Sequence, residues 1–351
     1  MTSPDVVLHI GLHKTATRFL QRAVFARLDP QRFLVNPPGL NRALKQALWY
    51  PSEETRAQAR EAVAKAREEA GDRTLLVSEP SISGDMYSSH EDWHRNLEFT
   101  HELFPDARII YFVRRQSDWL HSAYRQSLVK GPGVPIGFFL NFRNGEFRTR
   151  SARMIGRARN LNALDLRFLD IYLGYATKFG ARNVYLFRQE DLKQSSESVY
   201  LRLAQALGLE AVPDPPRKVS SNPAFSALGI SIFFPGTHRR VDRIGPVRVH
   251  GRFEAKVDRR LKRIRTAVLR HVFDKIIYRD WDLLAQDNLR EKLDAHFQAE
   301  WRLLSDAASD ILANGPAEFV LDKVRREKVQ DDCAPSVQSF SPESTDKATI
   351  R

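Results

Sequence analysis

The chain reads as a doubly wound α/β protein with a mostly parallel sheet flanked by helices and a helical C-terminal extension. Three observations lead there. Short apolar runs alternate with helix-length amphipathic stretches, a pattern that implies parallel strands joined by helical crossovers. The first run, Val6 to Ile10, ends in a glycine and flows directly into a helix. A second run, Arg108 to Val113, ends in two arginines and does the same.

Taken in order, Val6-Val7-Leu8-His9-Ile10 is a buried strand, and Gly11-Leu12-His13-Lys14-Thr15-Ala16-Thr17-Arg18 is the turn into a helix carrying Phe19, Leu20, Ala23, Val24 and Leu28 at helical spacing. Ser52 to Ala70 is a charged helix closed by Gly71, Thr74 to Ser78 a short strand, and Trp93 to Phe104 a helix halted near Pro105. After Arg114 a helix begins with Ser117 as its expected N-cap and Asp118 in the first turn. A Gly/Pro-rich loop, 131–135, precedes a helix from Asp165 to Phe179, a strand at Val184 and a helix from Ser196 to Leu207. Pro213-Asp214-Pro215-Pro216 breaks the pattern. The expected division is a core over 1–235, a basic helical region over 236–325 packed on it, and a polar, disordered tail over 326–351.

At 351 residues and 42% hydrophobic the chain buries a full core. No stretch is long and apolar enough to span a membrane, and the first strand starts too early to leave room for a signal peptide. The single cysteine, Cys333, rules out a disulfide framework and a cysteine-based metal site. The expected location is cytoplasmic, with peripheral contact at the inner membrane face as an option.

Charge is uneven. The formal net charge is +12, and the segment 239–279 holds fourteen Lys/Arg against four Asp/Glu. A second cluster comprises Arg143, Arg148, Arg150, Arg153, Arg157 and Arg159. Such surfaces attract an anionic glycan, a lipid headgroup layer or nucleic acid. No nucleic-acid fold or stacking platform accompanies these charges, so nucleic acid is not an expected partner. A solvated helix face is the plain alternative.

A strand, a tight turn and a helix start form an anion site, with backbone N–H groups pointing outward and a lysine and two hydroxyls alongside. The loop is P-loop-like but a poor Walker A: His13 stands where the second glycine belongs, and Gly11 is three residues before Lys14. Arg114, at a strand end, and Ser122, in the helix that follows, supply a fork donor and a hydroxyl suited to a phosphate monoester. In an open α/β sheet both fall at the ligand crevice.

With these residues in place, the sequence resembles the sulfotransferases that use PAPS (3′-phosphoadenosine 5′-phosphosulfate). The resemblance rests on the loop Gly11 to Thr17 as the 5′-phosphosulfate site and on Arg114 and Ser122, eight residues apart, as the 3′-phosphate site. Asn183 to Leu192 resembles the family's late strand and acidic turn, and Val219-Ser220-Ser221-Asn222-Pro223 a segment near the nucleotide, which adds Asn222 to the donor set. The likeness spans roughly residues 5–230. Two positions depart: Ala16 replaces the usual glycine, which requires a negative φ there, and Arg18 replaces a threonine.

The resemblance implies transfer of a sulfuryl group from PAPS to a hydroxyl or amine of a polysaccharide or glycolipid acceptor, anionic or neutral, with PAP (adenosine 3′,5′-bisphosphate) as product and no metal. Lys14 is implied to stabilise the leaving oxygen, with Thr15 and Thr17 holding other oxygens and Gly11, Leu12, His13, Ala16 and Arg18 completing the cradle. An alcohol acceptor needs a general base. Glu79, just after a strand, ranks first, His13 second, and Asp85 and His90 third. Glu79 equally suits capping the next turn or pairing with an arginine. A small-molecule kinase and a non-enzymatic polyanion binder are the alternatives. Oligomeric state is not legible.

Overall fold

The computed structural model describes residues 5–130, 133–149, 154–155, 158–213, 225–238, 260–261 and 264–333. Five strands build the central sheet: β1 (Val6–Gly11), β2 (Phe33–Val35), β3 (Thr74–Ser78), β4 (Arg108–Val113) and β5 (Val184–Arg188). Their order is β2-β3-β1-β4-β5 and every pairing is parallel, with Leu8 opposite Val77 on one side and Ile109 on the other. The doubly wound prediction holds. The central strand β1 is buried along its whole length, as a continuous apolar run requires when both faces are covered.

The main helices are the stretch 17–27 (α1), Leu40–Trp49 (α2), Glu53–Ala70 (α3), Trp93–Leu103 (α4), Gln116–Lys130 (α5), Phe168–Phe179 (α6), Ser196–Leu207 (α7), Ala227–Phe233 (α8), Leu289–His296 (α9), Gln298–Asn314 (α10) and Glu318–Cys333 (α11). Stretch α1 is irregular: one α turn gives way to wider π turns over Leu20–Val24 and a tight turn over Phe25–Arg27. Helix α3 starts where its capping residue dictates. Ser52 accepts from the Thr55 amide, and Thr55 returns the bond to the Ser52 N–H.

Strand alternation sorts the core into two layers. Val7, Leu76, Ile110, Phe112 and Phe187 meet Leu20, Val24 and Phe25 of α1 and Val199 and Leu203 of α7. Leu8, Ile10, Val77, Ile109 and Tyr111 face the opposite side, with Leu44, Val63, Leu97, Leu120 and Ile171. Leu293, Leu304, Ile311 and Val320 belong to that second cluster, so the C-terminal helices share the core of the sheet domain. Burying such a side chain contributes about 1.5–3 kcal/mol, which holds the extension down.

The two layers position the site. The chain leaves β1 on the α1 face toward β2, and returns from β3 to β4 across the opposite face. Neighbouring strands β1 and β4 therefore send their following loops to opposite faces, and a crevice opens between them at their carboxyl ends.

Two expectations need correction. Helix α5 begins at Gln116, so Ser117 lies inside it, and its hydroxyl donates to Asp294 at 2.6 Å instead of capping. Helix α11 runs to Cys333, so residues 326–333 are helical, while 334–351 lie outside the described residues. Of the second basic cluster, Arg143 and Arg148 are exposed beside a hairpin of Phe142–Arg143 with Glu146–Phe147, and Arg150, Arg153 and Arg157 are outside the described residues.

Candidate active site

Gly11 carries φ +94, and a Cβ there would sit 2.8 Å from the Pro80 Cβ. Only glycine fits, and the contact brings the Glu79-Pro80 turn after β3 against the loop after β1. The Leu12 N–H bonds to the Phe112 carbonyl of β4 at 2.7 Å, and the Trp119 indole donates to the His13 carbonyl at 2.7 Å. Strand β4 and helix α5 thus hold the loop from two directions. The ladder of α1 begins with the Phe19 and Leu20 amides on the Ala16 carbonyl. The N–H groups of Thr17 and Arg18 precede it and face out of the helix start, where an anion is favoured.

The loop departs from expectation in its hydroxyls and its turn. Thr15 is fully buried and donates to the Leu12 carbonyl at 2.6 Å, so its hydroxyl braces the loop from within. Thr17, only partly buried, reaches the same carbonyl at 3.2 Å. Ala16 has φ +64, not the negative value expected, and Lys14 has φ +67. A side chain at such a φ costs about 1–2 kcal/mol, which a glycine at position 16 would avoid. Arg18 is exposed on the outer side of α1.

Arg114 follows β4 directly and Ser122 lies on the second turn of α5. Both are half-buried, and among the described residues neither side chain makes a hydrogen bond or an ion pair. Burial holds the Arg114 guanidinium below its usual pKa against the pull of Asp118 and Glu190, with Arg290 and Arg125 also near. Asp118, Ser122 and Arg125 recur at i, i+4 and i+7, one face of α5, and Arg114 senses both charged members. A half-buried fork donor and a hydroxyl that no described side chain engages are chemically fit for a phosphate.

Residues from far along the chain fix this face. Arg290 of α9 bonds Asp118 at 2.9 Å, the Ser117 hydroxyl at 3.2 Å and Asp282. Asp280 takes both guanidinium nitrogens of Arg125, at 2.5 and 3.2 Å, and the Ala227 amide at 3.0 Å. Arg115 pairs with Asp294 at 3.3 Å. Glu190, two residues past β5, joins the site, although the sequence marks it only as part of an acidic turn. One of its carboxylate oxygens is buried without a hydrogen-bond partner, and burial raises its pKa.

Glu79 ends β3 and is 4 % exposed. One oxygen accepts from the Ser81 amide at 3.0 Å and the other pairs with Lys45 at 3.2 Å, so the structure gives it the capping and pairing roles. Beside it, Ser78 receives the Gln21 side chain at 3.0 Å and contacts His9 Nδ1 at 2.7 Å. Burial drives His9 down to about 3, so it stays neutral. His13 is half-buried next to Lys14 with its ring 6.3 Å from that of His90. His90 is fully buried against Trp119 and Phe168 and is likewise pushed to about 3, and Asp85 caps the Tyr87 amide. Asn222 lies outside the described residues.

No family model matches the chain, and no curated protein matches it. Among solved structures it is similar to a sulfotransferase from Alicyclobacillus acidocaldarius, at 15% identity and a TM-score of 0.38, covering 80% of this chain and 98% of that one. It is also similar to the sulfotransferase domain from the curacin biosynthetic pathway, at 12% identity and a TM-score of 0.34, covering 61% of this chain and 77% of that domain.

Proposed function

We propose that this chain transfers a sulfuryl group from PAPS to a hydroxyl or amine of a glycan or glycolipid acceptor. The observation that carries the reading is the meeting of two anion-suited sites at one sheet edge. The Lys14 loop follows β1, the Arg114–Ser122 pair follows the adjacent β4, and the Trp119–His13 bond joins them. A donor with phosphate groups at both the 3′ and the 5′ positions of its ribose has a reason to use both. Among the described residues no carboxylate pairs with Arg114, which supports assigning it to the 3′-phosphate.

In this reading the outward N–H groups of Thr17 and Arg18 hold phosphosulfate oxygens, and Arg114 with Ser122 holds the 3′-phosphate. Lys14 stabilises the charge that builds on the bridging oxygen as the sulfuryl group departs, an effect worth most in a site that excludes water. The acceptor proton passes to a base at the same edge. Two side chains suit that role: Glu79, which would have to release Lys45 first, and His13, which flanks Lys14 in the loop.

Thermal shift with PAP in the absence of magnesium tests the donor. Stabilisation grows as RT ln(1 + [L]/Kd), and the reading requires a clear rise in Tm with PAP and none with magnesium-ATP at equal concentration. The reverse response would assign a kinase, and a response to neither would leave a polyanion binder. Lys14→Ala should lower sulfuryl transfer by about 10²–10³ while leaving the fold intact. Wild-type turnover in that variant would remove Lys14 from the chemistry.

A further inference from the structure

The helical segment that enters the C-terminal extension carries its apolar residues on the wrong side for a core. Residues 260–261 and 264–268 are helical and run into the π turns Leu269–Phe273 and the helix Asp274–Ile276. Leu269 is fully buried, and Phe273 packs edge-on against Phe233 at 5.3 Å, so one side of the segment is committed to the protein. Leu261, Ile264, Val268, Val272 and Ile276 recur at spacings of three and four and form a ridge along another side. They are 61, 54, 41, 51 and 75 % exposed. Ile277, Tyr278 and Trp281 continue the exposed apolar surface beyond the helix. An exposed apolar ridge of this kind marks something that covers it.

Charge selects the occupant. The sequence from 239 to 279 holds fourteen Lys/Arg against four Asp/Glu, and Arg260, Lys275 and Arg279 are exposed next to the ridge. A second copy of the chain would bring two such basic segments together and is disfavoured by their repulsion. A dissolved polyanion would meet the charges but leave the ridge in water. An anionic phospholipid bilayer satisfies both, headgroups facing the cations and acyl chains receiving the apolar side chains.

We propose that this ridge docks the protein on an anionic membrane surface, lying in the interface with Leu261, Ile264, Val268, Val272 and Ile276 inserted and the basic side chains at headgroup level. Aromatic Tyr278 and Trp281 sit at the end of the ridge, the residue types that favour the boundary between water and lipid. The proposal is independent of the sulfuryl-transfer reading.

Co-sedimentation with phosphatidylcholine vesicles, with and without phosphatidylglycerol, tests it on the full chain. Wild type should pellet with the anionic vesicles, less so as salt rises, and hardly with the neutral ones. Val268→Ser/Val272→Ser/Ile276→Ser should lower partitioning by about tenfold or more, because apolar insertion is lost. Arg260→Gln/Lys275→Gln/Arg279→Gln should lower it by a similar factor and flatten the salt dependence. These side chains are exposed, so melting curves should match wild type, and Ile276→Ser alone supplies a milder version. Binding of the serine variant at wild-type strength would show attraction by charge without insertion and overturn the proposal. So would no lipid binding by wild type, or a ridge-dependent dimer in ultracentrifugation that excludes vesicles.

Discussion

Trp119 donates its indole N–H to the main-chain carbonyl of His13 at 2.7 Å, joining the helix that bears Ser122 to the loop that bears Lys14. The two halves of the proposed donor site are therefore one mechanical unit. Trp119 is fully buried, so its removal is felt in both stability and geometry. Trp119→Phe should cost about 1–3 kcal/mol in urea unfolding, from the lost bond and the smaller ring. It should also weaken PAP binding, because the loop carbonyl is no longer held. A variant destabilised to this extent that binds PAP as wild type does would show that the loop is positioned without α5.

The strain at Ala16 has a measurable sign. Its φ of +64 is the region in which glycine is at ease. Ala16→Gly relieves the backbone but loosens the unfolded chain, so the net gain should be about 0.5–1 kcal/mol in denaturant unfolding. A loss of stability would mean that the alanine methyl makes a contact worth more than the strain.

Arg114 and Ser122 separate two nucleotides. Arg114→Ala or Ser122→Ala should reduce affinity for PAP by roughly 10- to 100-fold, the worth of a charge-assisted hydrogen bond at about 1.5–3 kcal/mol. Affinity for adenosine 5′-phosphosulfate, which lacks the 3′-phosphate, should stay within a factor of about 2, well inside the roughly 1.4 kcal/mol that makes a tenfold change. Calorimetric titration of both ligands decides. Equal weakening would place these residues elsewhere on the donor.

The sheet and the strand-end positions of Lys14, Arg114 and Glu79 were legible in the sequence, because they follow from local signals. An apolar run of strand length, a glycine where the chain turns hard, and helical spacing after it are all properties of neighbours in the chain. What escaped depends on residues far apart in sequence. Asp118 gives no sign that Arg290, 172 positions on, will hold it. Ser117 looks like a cap until Asp294 claims its hydroxyl. Glu79 left two readings open, and Lys45 together with the Ser81 amide tips it to the structural one. Ala16 departs from expectation for a different reason. A helix start suggests negative φ, but the αL turn sits one residue ahead of the helix, and that offset has no residue signature when alanine occupies it.

Glu300 should make stability depend on pH in the sense opposite to an ordinary carboxylate. On α10, it accepts the Leu169 amide at 2.8 Å, near the start of α6, and so fastens one helix to another. Burial raises its pKa from 4.5 to about 7, with Asp170 pushing the same way and Lys328 opposing. The folded state then binds the proton more tightly than the unfolded one. Stability from this group is complete below about pH 4.5 and declines as pH rises to about 7, as charge is forced on a buried carboxyl. A raised pKa of this size corresponds to about 3 kcal/mol. Glu300→Gln keeps an oxygen for the Leu169 amide and cannot ionise, so its stability relative to wild type should improve by up to about 3 kcal/mol between pH 5 and pH 8. Urea unfolding of both proteins at the two pH values measures the difference directly. A wild-type-minus-variant gap that is the same at pH 5 and pH 8 would show that Glu300 titrates alike in the folded and unfolded chain. The α10–α6 link would then be an ordinary exposed carboxylate contact.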